Sequence, residues 1–172
     1  MIAERRCFNV AMPDGRPDGV TTSIDDDSVS ATAVVAAPPA EVFDFLRRPE
    51  NHALISGDQS VRSTVTGPEL LGPGSAFSVN MKVILPYRVT SKVVEFDEDR
   101  VIAWCHFGGH RWRWQLEPAG DGRTRLTETF DQSTAKAPFL LRIAGYPKRH
   151  LHNVANSVAN VAARFDQPRS AE

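Results

Sequence analysis

The residue with the clearest chemical potential is Glu128, which alternates with Leu126 and Phe130 in the stretch Arg123 to Phe130. In any regular strand those three side chains share one face. A carboxyl among apolar neighbours is costly to ionise, so its pKa rises and it becomes a proton donor or a hydrogen-bonding anchor. The plainer alternative is a glutamate near the sheet edge that pairs with a Lys or Arg such as Lys92, or reaches solvent. The stretch Arg111 to Leu116 carries Trp112 and Trp114 on one face. Two indoles there either line a hydrophobic ligand site or pack as core.

The hairpins position these residues. A two-residue turn at Gly108-Gly109 would set Phe107 opposite His110, Cys105 opposite Trp112 and Ala103 opposite Trp114. Val101, Ala103 and Cys105 would then share a face with both indoles, small residues facing large ones. A turn centred on Asp121 would pair Leu116 with Leu126, Trp114 with Glu128 and Trp112 with Phe130. Cys105 reads as an inert buried thiol.

The histidines show no metal-ligand spacing, and each reads as a surface residue. His150 and His152 lie two apart on a helix and point in different directions. His106 is expected to point away from the indole face, and His52 to lie in a loop near Asp58. Arg111, Arg113, Arg123 and Arg125 fall on the outer sheet face. No glycine-rich phosphate loop, nucleophile elbow or HExxH motif is present. No metal and no cofactor is expected.

The elements that hold these residues read as strands around one long helix. From Pro147 to Phe165, Leu151, Val154, Ala155, Val158, Val161, Ala162 and Phe165 recur three and four apart, a single apolar stripe. Asn153, Asn156 and Asn160 fall on the opposite side. Pro147 suits a first helical turn. Upstream, Ser28 to Ala36 is a strand, Pro38-Pro39 opens a short helix with Val42, Phe43 and Leu46, and Glu50 to Gly57 is a second short helix or a loop. Strands follow at Ser60 to Thr66, Ala76 to Leu85, Arg88 to Phe96, Val101 to Phe107, Arg111 to Leu116 and Arg123 to Phe130. In the second of these, Phe77, Val79, Met81 and Val83 share a side. The run Pro138 to Ala144 leads into the last helix. Tight turns between strands imply an antiparallel meander, and its apolar face needs the helix as a partner.

Three stretches carry a family resemblance. They are Val35-Ala36-Ala37-Pro38-Pro39-Ala40-Glu41-Val42-Phe43, the pair Trp112 to Pro118 and Gly122 to Thr129, and the final helix. Together they resemble the START-like (SRPBCC) helix-grip superfamily, in its polyketide cyclase/dehydrase-like branch. The resemblance covers roughly residues 28–165. It implies an α+β fold, a curved antiparallel sheet around a long C-terminal helix with two short helices, and a cavity for a lipid or polyketide-like hydrophobic ligand. In relatives a Trp often stands near the end of the second short helix; here that region reads His52-Ala53-Leu54-Ile55-Ser56. The expected ligand wall is Phe77, Val79, Met81, Ala103, Cys105, Trp112, Trp114, Leu126, Phe130, Val154 and Val158, with Glu128 as the candidate catalytic acid. A carrier needs only such a pocket. An enzyme of the cyclase/dehydratase type would use Glu128 to protonate a carbonyl or leaving hydroxyl. A regulatory or interaction module would use the outer sheet face or Asn153, Asn156 and Asn160.

Size and charge fit this frame. The chain has 172 residues, a formal net charge of -1 and 41% hydrophobic residues. That is one domain's worth of core, and its charge balance gives no basis for binding nucleic acid. Residues 1–27, with turn signals at Pro13-Asp14-Gly15 and Pro17-Asp18-Gly19, are expected to form a flexible extension or a short extra strand, residues 28–166 the domain, and residues 167–172 a tail. Two cysteines without a CxxC pattern suit a reduced, cytoplasmic chain. No signal-peptide core and no membrane-spanning run is evident. Oligomeric state is not legible.

Overall fold

The computed structural model describes residues 7–8, 19–82, 84–136 and 146–166, with side chains from residue 150 onward in the last segment. Val83 and the run Pro138 to Ala144 lie outside the described residues.

Nine antiparallel strands form one sheet: β1 (Cys7–Phe8), β2 (Thr21–Ile24), β3 (Ser28–Val35), β4 (Val61–Thr66), β5 (Ala76–Lys82), β6 (Pro86–Asp97), β7 (Val101–Cys105), β8 (Arg111–Pro118) and β9 (Thr124–Asp131). Their spatial order is β1-β2-β3-β9-β8-β7-β6-β5-β4. The meander from β4 to β9 is therefore sequential, and β3 closes against β9 over eight paired residues, Ser28↔Asp131 through Val35↔Thr124. Two helices interrupt the order between β3 and β4: α1 (Pro39–Leu46) and α2 (His52–Ile55), the latter preceded by a 3-10 turn at Pro49–Asn51. Pro39 stands in the first turn of α1, where no N–H is required. The long helix is α3 (Tyr146–Asp166).

The strand β2 extends the sheet upstream of Ser28, pairing Thr21↔Thr32 through Ile24↔Val29. The β-branched Thr21, Thr22 and Ile24 suit a pleated strand, and Asp25 N–H bonds Ser28 O at 2.8 Å to turn the chain. This part of the segment read as a loose extension is an ordered strand, with β1 paired outside it (Cys7↔Ser23, Phe8↔Thr22), the second of the two readings above.

The helix α3 lies mainly across β3 and β9. Val154, Ala155, Val158, Val161 and Ala162 are buried against Val29, Ala31, Val35, Leu126, Phe130 and Trp114 in one core. The α1 side chains Val42, Phe43 and Leu46 join the same core, Phe43 meeting Phe96 edge-on at 5.4 Å. Leu71, between β4 and β5, is tied beneath α1 by its N–H to Arg47 O at 2.8 Å.

The register of β8 and β9 is the expected one, with Leu116↔Leu126, Trp114↔Glu128 and Trp112↔Phe130. The register of β7 and β8 is not. Cys105 pairs with Arg111, Ala103 with Arg113, Trp104 with Trp112 and Ile102 with Trp114. The connection between the last pair is the five residues 106–110, an odd number, where a two-residue turn was expected. His106 O accepts from Gly109 N–H at 2.9 Å, and Gly109 takes φ +83°, a left-handed conformation natural to glycine. A one-residue change in register exchanges the faces of a strand. Ile102 and Trp104 therefore stand with the indoles, while Val101, Ala103 and Cys105 turn to the outer face. Ala103 is buried there beside Glu95 and Arg113, which pair through two hydrogen bonds of 2.9 and 3.0 Å, and it is not part of the helix-facing core.

Candidate functional site

The inner face of the sheet beneath α3 brings together most of the expected residues. Phe77, Val79, Trp114, Leu126, Phe130, Val154 and Val158 are buried in the core, and Met81 and Trp112 pack at its margin. The face also holds Trp104 and His52, which strand parity alone did not select. The signal for Trp104 was an aromatic cross-strand pair with Trp112, a favourable sheet contact, whereas His52, on α2, carried no local signal.

His52 is buried, not a surface residue. Its ring stacks on Trp104 at 4.6 Å, meets Phe77 edge-on at 4.9 Å, and its Nε2 lies 3.1 Å from Leu46 O. Burial lowers its pKa to about 4, against the partial support of the Leu46 carbonyl, so it is neutral near pH 7. At the β7–β8 turn, the His106 ring contacts His110 at 4.2 Å, and His110 contacts Phe130 at 5.0 Å. The changed register turns His106 toward the aromatic side, opposite to expectation. Burial lowers the pKa of both, and for His110, to about 4, the charges of His106 and His150 add to the effect. His150 stacks on Phe130 at 4.2 Å, while His152 is exposed. Among the described residues no group of His, Cys, Asp or Glu side chains could hold a metal ion.

Glu128 is 3% exposed. It lies between Ala31 of β3 and Trp114 of β8, under α3, and does not pair with Lys92, which is exposed on β6. Burial pushes its carboxyl well above the usual 4.5; a hydrogen bond from Ser157 opposes the shift and the charge of Asp58 adds to it. Its Oε2 has no hydrogen-bond partner, and neither have two other buried atoms of this layer, Trp114 Nε1 and Asn153 Oδ1. Unpaired buried polar atoms are unusual because each forfeits its hydration.

The α2–β4 loop seals this layer. Gly57 N–H donates to Ser157 Oγ at 3.1 Å, and Asn156 Nδ2 donates to Gly57 O at 2.9 Å. Asn160 Nδ2 reaches Ile55 O at 3.4 Å. Two of the three asparagines read as an outward stripe thus hold a loop of this same chain.

A sheet gripping one long helix, with a buried acid and aromatic rings between them, defines a helix-grip fold. The chain belongs to the family described as polyketide cyclase / dehydrase and lipid transport, whose model matches residues 26–164. It is 33% identical to Rv0088, an uncharacterized protein of Mycobacterium tuberculosis H37Rv, over 97% of this chain and 79% of that one. Among solved structures it resembles protein Ms6760 of Mycobacterium smegmatis, with TM-score 0.59 at 19% identity over 87% of this chain and 99% of that one. It also resembles the Zhui aromatase/cyclase of Streptomyces sp. R1128, with TM-score 0.60 at 19% identity over 84% and 98%. At such identity the structural likeness speaks for the fold. Among the described residues no helix is long and apolar enough to cross a membrane.

Proposed function

We infer that this chain binds a hydrophobic small molecule, a lipid or a polyketide-like aromatic, between the sheet and α3, with Glu128 and Trp114 as the polar anchor. The observation that carries this reading is the set of unpaired polar atoms in that layer, Glu128 Oε2, Trp114 Nε1 and Asn153 Oδ1. A protonated carboxyl and an indole N–H donate, and the amide oxygen accepts. Together they suit one hydroxyl or carbonyl on an apolar body, the composition expected of a small-molecule site. Trp114, Leu126, Phe130, Val154 and Val158 are closed off from solvent, so admission of a ligand requires α3 or the α2–β4 loop to shift.

A second reading rests on the raised pKa of Glu128. A carboxyl that stays protonated in a water-poor layer can deliver its proton to a carbonyl or a leaving hydroxyl, as a cyclase or dehydratase requires. The conservative variant separates the two readings. Glu128→Gln keeps the shape and the hydrogen bonding, so a carrier loses little affinity, whereas an acid catalyst loses about two to four orders of magnitude in rate.

Native mass spectrometry of the purified protein, with displacement of an apolar fluorescent probe by lipids and by aromatic polyketides, tests the reading. A co-purified small molecule, or saturable displacement weakened in Trp114→Ala, supports it. A bare protein from which neither class displaces the probe contradicts it.

A further inference from the structure

A groove of about 570 Å³ lies between α2, the start of β4 and the last turns of α3. Its lining includes neither Glu128 nor Trp114, and it borders the layer beneath α3 through Ile55, Asn160 and Val161. Phe45, Ile55, Val61 and Val161 form its apolar part, and Phe45 is braced edge-on by Phe165 at 5.6 Å. Arg62 and Arg164 line the same groove, and no Asp or Glu does. Both arginines are exposed, and among the described residues neither has an ion-pair partner. The contrast with α1 is close at hand, since Arg47 is engaged by Asp44 and Glu98, and Arg48 by Asp44 and Glu69.

We propose that this groove is a second binding site, for a single-chain amphiphile with an anionic head. Its apolar part covers the chain, and Arg62 and Arg164 meet a carboxylate or phosphate. The volume is in the range of small-molecule sites, about 300–1,000 Å³. Guanidinium groups match planar carboxylate and tetrahedral phosphate oxygens and remain charged at any working pH. An apolar surface beside two unshared cations is complementary to a fatty carboxylate or an alkyl phosphate, and a neutral lipid would leave both cations unused. The head-group contacts at Arg62 and Arg164 are distinct from the Glu128 and Trp114 anchor, so the two sites can be tested separately although Ile55 and Val161 border both.

The test uses the full chain with methyl-labelled Ile and Val, titrated with dodecanoate, dodecyl phosphate and dodecanol below their micelle thresholds. Both anions are expected to shift the methyls of Ile55, Val61 and Val161 in a saturable way, with dodecanol at least about tenfold weaker because the charged hydrogen bonds are lost. Arg62→Gln/Arg164→Gln should weaken dodecanoate by about tenfold or more. Ala163→Glu, which places a carboxylate on the exposed helix surface of the lining, should do the same without touching either arginine. Equal binding of dodecanol, unchanged affinity in both variants, or shifts confined to Val154 and Val158 would each overturn the proposal; the last would instead report binding under α3. Binding of dodecyl phosphate but not dodecanoate would narrow the head to phosphate and support the site.

Discussion

Glu128 and Trp114 face each other across β8 and β9, and each holds a buried polar atom with no partner, Oε2 on one and Nε1 on the other. Cross-strand neighbours on one face stand close enough to grip the same ligand group. Without a ligand, both atoms are a cost to the fold.

That cost sets stability and binding in opposition. Glu128→Leu removes a carboxyl bonded by Ser157 but left unsatisfied at Oε2, and leaves an apolar side chain of similar reach. It is expected to stabilise the ligand-free protein by about 1–3 kcal/mol and to weaken the hydrophobic ligand. Urea denaturation beside probe competition checks both directions. A destabilised variant would mean that the fold itself satisfies the carboxyl.

The β7–β8 register makes a second distinction. Trp104 stands on the inner face with Trp112, whereas Cys105 pairs with Arg111 on the outer face. Trp104→Ala should lower the affinity of an apolar probe, and Cys105→Ala should leave it unchanged, both measured by fluorescence titration. The reverse order would restore the two-residue turn.

Gly57 sits where the α2–β4 loop presses on α3. A Cβ there would overlap the Asn153 backbone oxygen and lie 2.7 Å from both Asn153 Oδ1 and Ser157 N. Gly57→Ala is expected to cost about 1–3 kcal/mol, the usual range for overpacking, and to loosen the bond from Gly57 N–H to Ser157. Thermal unfolding gives the cost. Hydrogen exchange at Gly57 shows whether the loop is the part released.

His52 gives the acid side of the stability profile. Its pKa is lowered to about 4 in the fold from an ordinary 6.5, so between those values the unfolded chain binds more protons. Stability therefore falls as pH drops from 6.5 to 4, by about 3 kcal/mol from this group. His52→Gln should flatten that part of the curve in urea titrations at successive pH values. An unaltered slope would show that His52 is protonated in the fold.

Much of this fold could be read from periodicity. The stripe on α3 and the alternation of Leu126, Glu128 and Phe130 were both local patterns, and both place their residues as found. The Asp121 hairpin gave the correct register. The Gly108-Gly109 hairpin did not, because loop length is set by backbone geometry at His106 to His110 that the dipeptide does not encode. His52 escaped because its burial depends on Trp104 and Phe77, residues distant in sequence. Asn156 and Asn160 looked solvent-facing because only the tertiary fold brings Gly57 and Ile55 to them. The groove at Arg62 and Arg164 joins residues about a hundred positions apart, and no local pattern could announce it.

The most direct test of the buried anchor is a carboxyl NMR titration of Glu128 in the ligand-free protein, with Glu128→Gln used to assign the signal. Burial favours the protonated form in the fold, so the native state binds the extra proton between 4.5 and the raised folded value. Stability conferred by that proton is complete below 4.5 and is lost as pH rises through the folded pKa, so Glu128→Gln should gain on the wild type over the same interval. A Glu128 carboxyl that remains protonated well above 4.5, and whose transition moves on ligand binding, is expected. A carboxyl that titrates near 4.5, with no pH-dependent difference between the two proteins, would contradict it.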